Sequence, residues 1–232
     1  MNFTEPKQYS LQPTFATTRG VAKDTIFNSL IRKYNYKSYL EVGVFDPKGC
    51  FNKVEAETKV GLEPNPYFNG VKFDLPEGIL EIPSDIFFER NEDQTFDLIF
   101  IDGLHADYQV LKDIDNALHI LNPGGTIVTH DNMPSVHVET LPEPRWDVCG
   151  SWMGTTWKAF AHMRMTRPEL SMLTIDADCG LGVIRPGSQE CYPKHPWSDL
   201  EWPFYTEHRQ ELMNIITVEE FIEREEIDLV VE

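Results

Sequence analysis

The side chains best placed for chemistry in this sequence close short apolar runs. Leu98 to Ile101 ends at the carboxylate of Asp102, with His105 three residues further on, and Thr126 to Thr129 ends at His130-Asp131-Asn132. Unbroken apolar runs of this length suit strands buried on both faces, so two successive strands deliver polar groups to the same sheet edge. Glu63 follows another short run, Lys59 to Leu62, and Glu41 lies within Tyr39-Leu40-Glu41-Val42-Gly43-Val44. An acid at a strand end, about twenty residues beyond a glycine-containing strand-to-helix turn, is placed to accept hydrogen bonds from a ribose diol. Ser84-Asp85 follows an expected strand at Ile79 to Ile82 and precedes a helix opening at Ile86-Phe87-Phe88. It can cap that helix and also meet an adenine amino group.

The elements that must position these groups read as an alternating pattern. Val110, Leu111, Ile114, Leu118 and Leu121 recur at three- and four-residue steps, so an amphipathic helix runs from Ala106 until Pro123-Gly124-Gly125 stops it. Strand, helix, strand implies a right-handed parallel crossover, and open α/β sheets bind ligands outside the carboxyl ends of their strands. A helix is expected over Val21 to Tyr34 and another over Trp152 to Met165. Leu170 to Ile175 and Leu181 to Ile184, joined through Asp176 to Gly180, read as an antiparallel hairpin. Pro186 to Tyr205 reads as a wrapped surface segment and Glu207 to Glu226 as mainly helical. The expected division is an arm over residues 1–19, a domain over 20–185, and an extension over 186–232 packed on that domain.

Composition narrows the function classes. The chain has 232 residues, 41% of them hydrophobic, which is enough for one domain with a full sheet core. A formal net charge of −18 opposes any nucleic-acid partner, because the phosphate backbone would be repelled over most of the surface. MNFTEPKQYS has neither a basic n-region nor an apolar h-region, and no stretch nears about eighteen uninterrupted apolar residues. The expectation is a cytoplasmic protein with no membrane partner. Cys50, Cys149, Cys179 and Cys191 are scattered without a C-x-x-C pair and read as reduced thiols.

The succession Glu41-Val42-Gly43, Leu62-Glu63-Pro64-Asn65-Pro66, Ser84-Asp85, FDLIFIDGLH at 96–105 and NPGGTIVTHDN at 122–132 resembles a class I S-adenosylmethionine-dependent methyltransferase. Within that superfamily it is similar to the methyltransferases with an I-D-G-x-H signature and, in motif layout, to catechol-type O-methyltransferases. IDGLH followed by HDN is the specific part. The glycine turn is the least specific, since Asp46-Pro47-Lys48 lengthens it before Gly49. The resemblance spans about residues 20–185 and implies an α/β, Rossmann-like, doubly wound sheet of seven mostly parallel strands with a terminal antiparallel hairpin strand.

Residue by residue, the resemblance implies that Glu41 and Gly43 line the methionine part of S-adenosyl-L-methionine. It further implies that Glu63 holds the ribose, Ser84 and Asp85 flank the adenine, and Asp102 borders the cofactor. Asp102, Asp131 and Asn132 match residues that bind a divalent metal, Mg²⁺ or a similar ion, which would acidify a substrate hydroxyl. His105 matches a basic residue and is the candidate base, or else a ligand of the metal, and Asp102 is the other expected catalytic residue. His130 adjoins the same site with neither role preferred. The implied acceptor is a small hydroxylated molecule, by analogy a sugar or glycosylated metabolite, with Trp146, Trp152, Trp157 and the Trp197 to Trp202 segment as a stacking wall or as core. The aromatic C-terminal segment would allow a homodimer.

Two other readings keep the same fold. In one, Asp102, His105 and Asp131 hold redox-active iron in a hydroxylase-like enzyme. In the other, the chain is a non-catalytic nucleotide-binding module. An NAD-linked oxidoreductase fits the glycine pattern and the IDGLH/HDN pair less well.

Overall fold

The computed structural model describes residues 20–68, 71–91 and 93–229, so the expected arm over 1–19 lies outside the described residues. In chain order the elements are α1 (Lys23–Tyr34), β1 (Ser38–Val42), β2 (Thr58–Leu62), β3 (Tyr67–Phe68), β4 (Val71–Lys72), β5 (Ile79–Leu80), α2 (Ser84–Arg90), β6 (Phe96–Ile101) and α3 (Asp107–His119). They continue as β7 (Leu121–Thr129), α4 (Thr156–Thr166), β8 (Leu170–Ile175), β9 (Leu181–Pro186), α5 (Trp202–Leu212), β10 (Ile215–Ile216) and α6 (Val218–Glu225). One sheet has the order β10-β8-β9-β7-β6-β1-β2-β5, and β3 with β4 makes a separate small hairpin. β5, β2, β1, β6 and β7 are parallel, β9 is antiparallel to both β7 and β8, and β10 is parallel to β8.

The strands are apolar on both faces because both faces are covered. Leu40, Val42, Ile99, Ile101, Ile127 and Ile184 pack with α3, α4 and α5 through Val110, Ile114, Trp157, Phe160 and Tyr205. Tyr39, Leu98, Phe100, Val128 and Val183 pack on the other face with Ile26, Phe27 and Leu30 of α1 and Phe221 of α6. This is the doubly wound arrangement expected, and each side chain of Leu98 to Ile101, fully buried, contributes about 1.5–3 kcal/mol.

The differences from expectation have local causes. The strand begun at Ile79 closes after Leu80, not Ile82. α2 starts at Ser84 with Pro83 in the N-cap position and no side-chain cap, so Ser84 and Asp85 are freed from capping. α3 ends at His119, and Pro123-Gly124-Gly125 lies inside β7 at an irregularity where the register against Phe96 and Leu98 shifts. Glu207 to Glu226 is two helices. Asn214 at φ 48° turns the chain out of α5, β10 adds an eighth strand, and Thr217 restarts a helix by accepting from Glu220 N–H at 3.1 Å. α5 begins at Trp202, earlier than expected, after an irregular segment holding one 3-10 turn at Trp197–Asp199. No helix among the described residues is long and apolar enough to cross a membrane.

Candidate active site

The sheet's winding reverses between β1 and β6, and at their carboxyl ends a cavity of about 790 Å³ opens. The two strand ends touch. A Cβ on Gly43, whose φ is +87°, would lie 2.2 Å from Asp102 O and 2.5 Å from Gly103 Cα, so only glycine fits this turn. Glu41, Gly43, Glu63, Ser84, Asp85, Asp102, His105 and Asp131 all line this cavity, and Asn132 does not.

One end of the cavity is a row of hydrogen-bond acceptors. Glu41 is buried and accepts from the Tyr39 hydroxyl at 2.7 Å. Burial pushes its carboxyl up to about 8, against the lowering pull of that hydrogen bond. Glu63 holds the loop after β1 by accepting from Phe45 N–H at 2.6 Å, and its own loop by accepting from Asn65 N–H at 2.9 Å. A carboxylate has about four lone-pair positions, so Glu63 retains capacity for a diol. Further along, Gln109 Nε2 donates to Ser84 Oγ at 3.3 Å, Asp85 Oδ1 at 2.9 Å and Asp113 Oδ1 at 3.0 Å. Burial pushes the Asp113 carboxyl up to about 6.

At the junction of β6 and β7 lies a compact ionic cluster. His130 Nδ1 is 3.2 Å from both Asp102 Oδ1 and Asp131 Oδ1, and Lys23 Nζ of α1 is 3.4 Å from Asp102 Oδ2. His105 Nδ1 lies 3.3 Å from Asp131 Oδ2 and 3.2 Å from Trp152 O, with Nε2 3.5 Å from Asp102 Oδ1. Asp178, in the turn between β8 and β9, comes within 3.7 Å of Lys23. Burial disfavours the imidazolium of His105, but the hydrogen bond to Asp102 and the charge of Asp131 outweigh it and raise its pKa. For His130, burial is likewise outweighed by Asp102 and Asp131. Burial also opposes ionisation of Asp102, yet His130, His105 and Lys23 hold its carboxyl well below the usual range. Asp131 sits at φ 58° and Asp178 at φ 40°, an uncommon region for non-glycine residues that puts backbone strain at the cluster.

His105 is held from behind by the segment between β7 and α4. Its ring stacks on Trp152 with centroids 4.9 Å apart, and the Trp152 indole donates to Leu141 O at 2.7 Å. Thr155 N–H donates to His105 O at 3.0 Å, an approach made possible by Gly154, where a Cβ would be 2.1 Å from that same oxygen. Buried Glu139 organises the segment: its carboxylate accepts from Ser135 N–H and Oγ, from Val136 N–H and from the Ser151 hydroxyl, while its carbonyl accepts from Met153 and Gly154 N–H.

Asn132 is wholly buried. Its amide nitrogen donates to Thr129 O, Thr129 Oγ1 and Gly180 O, and its Oδ1 is shielded without a hydrogen-bond partner. Trp146 and Trp152 line the cavity, but Trp157 is core beside Tyr205, and Trp202 is buried on His137, so these two are not a stacking wall. Sequence reasoning missed Lys23, Gln109, Asp113 and Asp178. Gln109 and Asp113 share one helix face at i, i+4, a spacing that could have marked them. Lys23 and Asp178 carry no local signal.

Residues 76–132 match the family model described as "Methyltransferase domain". No curated protein matches the chain. Solved structures share its fold. A methyltransferase from Podospora anserina bound to S-adenosylhomocysteine is 19% identical over 72% of this chain and 78% of its own, with a TM-score of 0.52. The O-methyltransferase TomG from Streptomyces achromogenes, involved in tomaymycin synthesis and solved with S-adenosylmethionine, is 16% identical over 73% and 82%, with a TM-score of 0.51. The resemblance to class I methyltransferases read from the sequence is borne out in the fold and in the matched domain.

Proposed function

We propose that this chain, which has the class I methyltransferase fold and matches a methyltransferase domain, transfers a methyl group from S-adenosylmethionine to a hydroxyl oxygen of a small acceptor, with His105 as the base. The observation that carries the reading is His105 itself. Trp152 O and Asp131 engage Nδ1, which leaves Nε2 to take a proton beside Asp102 at the lip of the cofactor-sized cavity. S-adenosylmethionine, when bound, supplies an electrophilic methyl on a sulfonium. The chain supplies the rest. Glu41 meets the amino group of the methionine part, Glu63 the ribose, and the Ser84, Asp85, Gln109 and Asp113 group the adenine amine, since its acceptors outnumber its donors. His105 removes the acceptor's proton, Asp102 and Asp131 stabilise the resulting imidazolium, and Trp152 with Trp146 flanks the acceptor. An aromatic wall with a positioned base suits a flat or ring-shaped hydroxylated acceptor, sugars included. The absence of a disulfide among the described residues suits a reducing, cytoplasmic setting.

The side chains do not fit the divalent ion that the resemblance implies. Of the three expected oxygen donors, Asn132 does not line the cavity, and the oxygens of Asp102 and Asp131 already face nitrogens of the chain. No step is therefore routed through an ion. One observation favours a second, hydroxylase-like reading: ligand atoms of Asp102, His105 and Asp131 lie within 4.8 Å of one another. Tight Fe²⁺ binding by that trio would support it.

The test is calorimetric titration with S-adenosylhomocysteine, followed by methyl transfer from S-adenosylmethionine to a panel of phenols and sugars. Wild-type binding on the order of micromolar, lost in Glu63→Ala, and turnover lost in His105→Ala are expected. Absence of binding by the wild type would remove the reading.

A further inference from the structure

Every carboxylate oxygen of the central acid pair faces a nitrogen of this chain. Asp102 Oδ2 has Lys23 Nζ at 3.4 Å, and Asp102 Oδ1 has His130 Nδ1 at 3.2 Å and His105 Nε2 at 3.5 Å. Asp131 Oδ1 has His130 Nδ1 at 3.2 Å, and Asp131 Oδ2 has His105 Nδ1 at 3.3 Å. Lys23 also reaches Asp178 Oδ2 at 3.7 Å. One ammonium and two imidazoles thus stand against three carboxylates.

Lys23 is not a surface lysine that happens to fold over. It opens α1, whose Ile26, Phe27 and Leu30 are wholly buried, so the helix core fixes where its side chain starts. Its Nζ lies 5.4 Å from the Phe100 ring centroid and lines the cavity. A hard divalent ion needs free carboxylate lone pairs in near-ideal geometry. To enter here it would have to expel an ammonium from a mostly buried ion pair, leaving a charge that burial makes costly.

We infer that Lys23 is a built-in cation standing where related sites would hold a divalent ion, so that this chain works without metal and Lys23 acts as a positioning residue that fixes Asp102 beside His105. The inference rests on the methyl-transfer reading and deepens it. The chemistry balances without a dication. The acceptor O–H proton passes to His105 Nε2, the acceptor oxygen forms the new O–C bond, and the C–S bond breaks with its electron pair left on sulfur. One positive charge disappears from sulfur as one appears on the imidazole, between the carboxylates of Asp102 and Asp131. No anion builds up in the site as a whole, and a second cation has nothing to neutralise.

The experiment is titration of EDTA-treated, dialysed protein with MnCl₂, read by the loss of the free Mn²⁺ paramagnetic signal. The wild type, Lys23→Met, Lys23→Arg and Asp131→Asn are compared, with thermal unfolding to confirm that each is folded. The wild type and Lys23→Arg should show no saturable binding below millimolar Mn²⁺. Lys23→Met, one positive charge poorer, should bind at least about tenfold more tightly. Micromolar binding by the wild type that Asp131→Asn abolishes would overturn the inference, as would a Lys23→Met protein that gains no affinity. S-adenosylhomocysteine binding, measured separately with and without EDTA, keeps the two claims apart. If the nucleoside fails to bind, the methyltransferase reading falls, while the manganese result still decides the role of Lys23.

Discussion

Glu41 gives the sharpest quantitative handle on the site, because its burial is a cost that only a cationic ligand relieves. Glu41 is 2% exposed, its carboxyl accepts one hydrogen bond from Tyr39, and burial pushes that carboxyl up to about 8 from the ordinary 4.5. The folded state therefore holds this proton more tightly than the unfolded chain does. The associated stability is fully present below pH 4.5 and is lost as pH rises toward 8. Integrated to pH 7, the loss is about 3 kcal/mol, at 1.36 kcal/mol per pH unit. Glu41→Gln keeps an acceptor for Tyr39 and has no charge to bury, so it should raise apo stability at pH 7 by up to about 3 kcal/mol and flatten the pH dependence between 4.5 and 8. The same substitution should weaken S-adenosylhomocysteine. In the wild type, a ligand ammonium that pairs with Glu41 must drive off the proton, and a group titrating near 8 is about 0.9 protonated at pH 7. Calorimetry in buffers of different ionisation enthalpy should therefore show close to one proton released per ligand bound, and none in Glu41→Gln. Urea unfolding across pH measures the stability half. Binding enthalpies that do not depend on the buffer, or a variant no more stable than wild type at pH 7, would refute the reasoning.

Three further outcomes are expected. Gly43→Ala places a methyl against Asp102 O and Gly103 in a left-handed turn, so it should cost at least about 2–3 kcal/mol in urea unfolding and abolish S-adenosylhomocysteine binding. Glu139→Ala removes the acceptor for Ser135, Val136 and Ser151, so it should destabilise the fold by about 2 kcal/mol and lower kcat while cofactor affinity stays within a few-fold, as calorimetry and turnover assays would show. Glu225→Ala leaves half-buried Arg185 without its carboxylate and should lower thermal stability by roughly 1–2 kcal/mol with no change in cofactor binding.

The parts of this fold that could be read from the sequence are those where local pattern and tertiary role coincide. Leu98 to Ile101 and Thr126 to Thr129 are apolar throughout because helices cover both faces of the sheet, and the acids that follow them fall at its carboxyl edge by construction. The Pro-Gly-Gly run misled, because a break in pattern looks the same whether it stops a helix or deforms the start of a strand. Ile215-Ile216 was hidden because two residues carry no periodicity, and the amphipathic helices on either side absorbed them. Lys23 and Asp178 were beyond reach for a different reason. One opens a helix and the other sits in a hairpin turn, and only the packing of α1 and β8-β9 against β6 brings them together. The resemblance implied Asn132 as a metal ligand, and no pattern in the sequence shows that the left-handed backbone at Asp131 precedes an amide whose nitrogen is turned onto Thr129 and Gly180.

The sheet also ends in an unusual way at both margins. β5 and β10 are two residues each and pair only with Gly61 and Leu62 of β2 and with Thr174 and Ile175 of β8, so each outer strand is itself only a stub of open backbone. The segment after Pro186 therefore has a solubility role apart from any catalysis. It supplies β10, and α6 behind it is tied to the sheet by Arg185, which donates to Glu225 at 2.8 Å, and to α1 by the Tyr34 hydroxyl, which donates to Glu225 at 2.6 Å. Without that segment, Thr174 and Ile175 would lose the two-residue strand they pair with, and the open edge would run the length of the six-residue strand Leu170 to Ile175, a stretch of high β-propensity. Such a shortened chain would be prone to strand-to-strand aggregation, however intact the cavity between β1 and β6.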